Sequence, residues 1–174
     1  QKLESYDRAT TARSQKRQDV SLTLLGQIIY ACIIVIFLAM YFHLFRMDYI
    51  TNLRSVLLLI TMVAMFPLMT SFLVRQTLLS VYLIPYTMLP VFVRVFMDSR
   101  TAYTAHVAAI LLSAVALKFP FEFIATQIVA GMVAIYTLRE LSERSQIIRT
   151  AILVTLAAWA VYLSIDLIHG RVPF

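Results

Sequence analysis

YLIPYTMLPVFVRVFMDSR, residues 82–100, decides how this chain is read. It is an apolar segment long enough to cross a bilayer, yet it holds Pro85, Pro90 and Arg94. Each proline removes a backbone N–H and crowds the preceding turn, so this helix is expected to be kinked or locally open. In lipid the freed carbonyls need partners, which favours a helix packed among neighbours over one bathed in lipid. The segments on either side are therefore expected to pack around this one.

Composition supports a membrane reading. Of 174 residues, 61% are hydrophobic and 14% are charged, whereas a soluble domain is roughly half apolar and a quarter charged. The charges fall in short clusters between long apolar runs, as spans separated by loops require. The net charge of +6 places arginines at helix ends, where they meet lipid headgroups and set orientation. No basic stripe interleaved with aromatics points to nucleic acid. Cys32, the one cysteine, lies in an apolar run and reads as a packing residue.

Outward from the central stretch, the fold class is all-α: a polytopic membrane helix bundle of about six transmembrane helices. Residues 1–21 are polar and read as a juxtamembrane linker; residues 22–174 form the bundle. Spans are predicted at about 22–45, 55–74, 78–97, 101–117, 121–138 and 148–168. Pro67 is a further candidate kink in the second. Ala102, Ala105, Ala108 and Ala109 put small residues on one face of the fourth, which lets helices approach closely. Asp98 or Ser99 can cap that helix. The loop 139–149, RELSERSQIIR, is the most charged internal stretch.

Six spans place both ends on one side. The loops 46–54, 98–100 and 139–149, with Arg94, hold Arg46, Arg54, Arg100, Arg139, Arg144 and Arg149, and so read as cytoplasmic. The basic N-terminal tail votes the other way, a weak vote if it follows an exported domain.

No catalytic or metal constellation stands out. His43, His106 and His169 are far apart, and none has a second ligand at helical spacing. A lone His106 in an alanine-rich helix reads as an interior group. Arg94 and Asp98 stand at i, i+4 and can meet on one helix face. Both lie near a span's end, where snorkelling makes a structural ion pair cheap. Gln127, Ser113 and Thr126 read as interhelical hydrogen-bond partners.

Two longer stretches carry a resemblance. YLIPYTMLPVFVRVFMDSRTA and FEFIATQIVAGMVAIYTLRELSERSQIIRTAILV resemble the membrane region of bacterial seven-transmembrane receptors with an intracellular HD hydrolase domain, the PgpH-like proteins. The tail KLESYDRATTARSQKRQ and the following LTLLGQIIYACIIVIFLAMYFHLFR look like the segment that enters that region. The resemblance implies an extracellular domain before this bundle and, after a seventh span, a cytoplasmic HD domain. That domain would bind two metal ions such as Mn or Fe and hydrolyse cyclic-di-AMP. This chain is expected to start after the extracellular domain and to stop before the seventh span. It has no His-Asp dipeptide, so no catalytic, cofactor or metal residue carries over and the chain itself is expected to be catalytically silent.

The expected function is a sensor and anchor module in the bacterial inner membrane. Its partners would be lipids and its own extracellular and HD domains; a homodimer is compatible with the family, and nucleic acid is not expected. Arg94, Asp98, Arg100, Arg139, Arg144 and Arg149 are the candidate coupling or ion-pair residues, with Pro67, Pro85 and Pro90 as flexible points. The alternative is a stand-alone transporter or permease for a small solute. It calls for a midplane pocket, such as one joining His106, Gln127 and Tyr86.

Overall fold

The computed structural model of the chain describes residues 2–50, 52–75, 81–138 and 144–170. The described residues form helices and turns, with no strand among them. In order these are α1 (Lys2–Phe45), α2 (Met47–Ile50), α3 (Leu53–Arg75), a 3-10 turn (Val81–Leu83), α4 (Met88–Phe96), α5 (Ser99–Ala114), α6 (Pro120–Thr137) and α7 (Arg144–Ile168). The chain divides into two units, residues 1–37 and 38–174. The first is helical from Lys2 onward, so the polar segment expected to be a linker runs without a break into the first apolar stretch. The second unit holds the bundle core.

Six spans of similar length are predicted; four helices are long and apolar enough to cross a membrane: Asp19–Phe45, Leu53–Arg75, Pro120–Thr137 and Gln146–Ile168. The other two fall short for different reasons. The third is broken between Leu83 and Met88. The fourth, α5, has 16 residues, about 24 Å of helix against a hydrocarbon core of about 30 Å. The charged loop is also shorter than expected, because α7 begins at Arg144.

Residues around the break satisfy their own backbone. Ile84 N–H donates to Val81 O at 3.1 Å, Tyr86 N–H to Ile84 O at 2.8 Å, and Met88 N–H to Pro85 O at 2.9 Å. Short-range bonds thus replace the helical ladder around Pro85, as irregular backbone at membrane depth requires. Pro90 falls at the third residue of α4. Helical N–H groups in a first turn have no intrahelical partner, so the missing donor costs little there. Pro67 lies inside α3, which continues through it to Arg75.

The helix at the centre is α5, not the proline-bearing segment before it. It packs against α3, α4 and α6, and Ala102, Ala105 and Ala109 are fully buried. Their small side chains let three neighbours come close. Tyr86, just before α4, and Leu89, Pro90 and Val93 of α4 meet it; all four are buried, with the last three following Tyr86 by 3, 4 and 7 residues, the spacing of one helical face. Phe66 of α3 and Phe123 of α6 close the core around Tyr86, each ring centroid 5.1 Å from the tyrosine ring. Helix α7 packs on α6.

Candidate functional site

Three polar arrangements interrupt this apolar core. The first is a hydroxyl knot. Ser113 donates to Ala109 O at 2.7 Å, and Tyr86 donates to Ser113 Oγ at 2.6 Å. Thr70 Oγ1 is in contact with the Tyr86 hydroxyl and lies 3.0 Å from Phe66 O. Each hydroxyl has one proton. Ser113 spends its proton on Ala109 O and Tyr86 spends its own on Ser113, so Thr70 donates either to Tyr86 or to Phe66 O. The knot joins α3, the residues leading into α4, and α5 next to the break at Pro85.

The second arrangement joins α5 to α6. His106 is fully buried, and its Nε2 lies 2.9 Å from Gln127 O. A carbonyl only accepts, so Nε2 carries the proton. Nδ1 is buried without a hydrogen-bond partner. The ring lies directly over Gly131, which is why this position has no side chain.

A third pair closes the end of the bundle where α5 begins. Arg46, just after α1, forms an ion pair with Asp98 Oδ2, 52 residues further on. Asp98 occupies the N-cap position of α5 but makes no side-chain capping bond. The expected i, i+4 relation with Arg94 presumes an unbroken helix. Helix α4 ends at Phe96 and both Met97 and Asp98 leave helical geometry, so that spacing does not apply. Arg94 stands in the last turn of α4, and Arg100 is exposed in the first turn of α5. Arg149 is exposed on α7, Arg144 opens that helix, and Arg139 lies outside the described residues. Among the described residues, the structure thus brings Asp98 to Arg46, which is not one of the candidates.

Beside the hydroxyl knot lies a cleft of about 480 Å³ between the 3-10 turn, the start of α4, α6 and α7. Tyr82, Tyr86, Thr126, Gln127, Trp159 and Tyr162 line it. Tyr82 and Tyr162 meet edge to face at 5.9 Å. A second cleft of about 380 Å³, mostly apolar, shares Thr87, Val154 and Thr155 with the first. The first cleft joins Tyr86 to Gln127, two of the three residues named for a midplane pocket. His106 is not in its lining; it touches the cleft only through the Gln127 carbonyl. No group of three or more metal-ligating side chains occurs among the described residues.

Sequence reasoning missed the Arg46–Asp98 pair, because nothing local connects positions so far apart. It named Tyr86 and Gln127 for a pocket but missed the third wall, which α7 supplies. A signal for the His106 contact was present: a lone histidine in one span and a lone mid-helix glycine in another.

The profile of one family, described as a 7TM receptor with intracellular HD hydrolase, matches residues 21–172. The chain belongs to this family, and is the multi-pass membrane region of such a receptor. No curated protein and no solved structure matches it.

Proposed function

We propose that this bundle relays a signal across a bacterial inner membrane to an HD hydrolase that opens cyclic-di-AMP to the linear dinucleotide. In this reading the Arg46–Asp98 end faces the cytoplasm, and the catalytic step, with its two metal ions, belongs to the HD domain. The observation that carries the relay is the ion pair itself. It ties the end of α1, which would lead in from the extracellular domain, to the turn between α4 and α5, the helix on which the core is built. A displacement of α1 is thereby passed to α5. Coupling needs an element that two sites can bias, and this joint provides one.

The test uses the full-length receptor in membranes with manganese. Cyclic-di-AMP hydrolysis is expected, and Asp98→Asn is expected to change its rate at least about fivefold, the lower end of ordinary coupling. An unchanged rate would sink the relay. Hydrolysis of other nucleotides but not of cyclic-di-AMP would sink the substrate. Arg144→Ala is expected to alter regulated activity as well, if the start of α7 docks the HD domain by charge.

The cleft joining Tyr86 to Gln127 supports a second reading, transport of a small solute. It requires proteoliposomes holding this chain to accumulate a solute, and the relay does not.

A further inference from the structure

One side chain of the larger cleft has a capacity that neither the core nor the relay uses. We propose that the cleft binds a neutral amide, a primary carboxamide or a lactam on an apolar or aromatic body, which pairs with the carboxamide of Gln127. The proposal concerns what the cleft holds, and stands whether or not binding regulates a hydrolase.

Gln127 lines the cleft and is 7% exposed. Its backbone carbonyl is taken by His106, but its carboxamide makes no hydrogen bond with another described residue. A carboxamide holds an acceptor oxygen and two N–H donors. Burying them unpaired is costly, and more so where the surroundings are lipid. The other hydroxyls nearby do not supply the missing partners. Tyr86, Thr126 and Thr155 share the lining, and their protons go to Ser113 Oγ, Glu122 O and Ala151 O.

The lining selects among ligand classes. None of the described residues that line the cleft is charged, so an ion entering it would give up hydration and gain no counter-charge there. An alkyl chain would leave Gln127 unpaired. A primary carboxamide or a lactam places an N–H beside a C=O, the complement of the Gln127 side chain. Its N–H donates to Gln127 Oε1, and Gln127 Nε2 donates to its carbonyl. The walls suit a flat body: Tyr82, Trp159 and Tyr162 offer ring surfaces, and Ala130 and Ala158 keep the space between them open. A volume of about 480 Å³ lies in the ordinary range for small-molecule sites. The adjoining apolar cleft leaves room for a longer body.

Trp159 is the only tryptophan and lines the cleft, so its fluorescence reports occupancy. The chain, reconstituted in phosphatidylcholine vesicles, is titrated with 4-phenylbutanamide, with its N,N-dimethyl derivative and with methyl 4-phenylbutanoate. The last two keep the body and the carbonyl but have no N–H. We expect a saturable change with the primary amide and at least about tenfold weaker binding of the other two. Gln127→Leu should weaken the primary amide to the level of the others and leave those unchanged. Equal binding of the three probes to the parent chain would overturn the proposal, since apolar partition would then explain all of them. Unaltered affinity of the Gln127→Leu variant for the primary amide would overturn it too. If that variant fails to fold, the comparison of the primary and dimethyl amides on the parent chain decides the matter.

Discussion

The His106 imidazole occupies the space that a side chain at position 131 would need: a Cβ built on Gly131 would lie 2.1 Å from Nε2. This contact sets the separation of α5 and α6, and the hydrogen bond from His106 to Gln127 O holds the ring in place. Gly131→Ala must displace the ring, the helix or both. Overpacking of this kind costs about 1–3 kcal/mol, and the hydrogen bond is lost with it. Thermal unfolding in nanodiscs should show a clear drop. Adding His106→Ala to Gly131→Ala should recover part of it, because the clash goes with the ring. Strictly additive losses would show that the two positions do not touch.

Tyr86→Phe removes one hydroxyl from the knot. Ser113 and Thr70 keep backbone acceptors at Ala109 O and Phe66 O, so neither is stranded. The cost should stay near ~1 kcal/mol, the net worth of a typical hydrogen bond. Ring burial against Phe66 and Phe123 is retained. A larger loss would mean that the hydroxyl organises the break at Pro85 as well as the three helices.

Arg46 and Asp98 are each somewhat more than a quarter exposed, so their pair should add less than about 1 kcal/mol to stability. Arg46→Gln and Asp98→Asn should each leave the unfolding temperature little changed. The exchanged pair, Arg46→Asp with Asp98→Arg, should restore the hydrolysis rate of the full-length receptor to within about twofold of the parent, as charge complementarity across the joint requires. Persistent loss of rate in the exchanged pair would show that the joint is not read by charge.

Prolines 67 and 90 should respond in opposite directions to alanine. Pro67 lies in the interior of α3, where proline is unfavourable by up to about 3 kcal/mol relative to alanine. Pro67→Ala should therefore raise the unfolding temperature. Pro90 sits in a first turn, where its missing donor is harmless, and its ring is fully buried. Pro90→Ala should lower the unfolding temperature, since it leaves a small cavity.

Much of the bundle was legible because apolar runs and charge clusters mark spans directly; α3, α6 and α7 fall close to their predicted positions. The centre was harder to place. Its signature was the alanine spacing at 102, 105 and 109, but the prolines nearby drew attention to the preceding segment. The Arg94–Asp98 spacing misled because an i, i+4 rule holds only within one helix, and the chain turns at Met97. Arg46 and Asp98 meet through the tertiary fold alone. Gln127 and Ser113 read correctly as groups at helix interfaces, although Gln127 serves there with its carbonyl rather than its amide.

Among the described elements α7 packs on one helix, α6, while α5 is held by three. The two are therefore held in different ways. Moving α5 disturbs three packed interfaces at once, whereas tilting α7 strains its broad contact with α6 and the Tyr82–Tyr162 ring pair. Helix α7 also forms a wall of both clefts, so a change in their contents bears on α7 and α6 before it reaches the central helix.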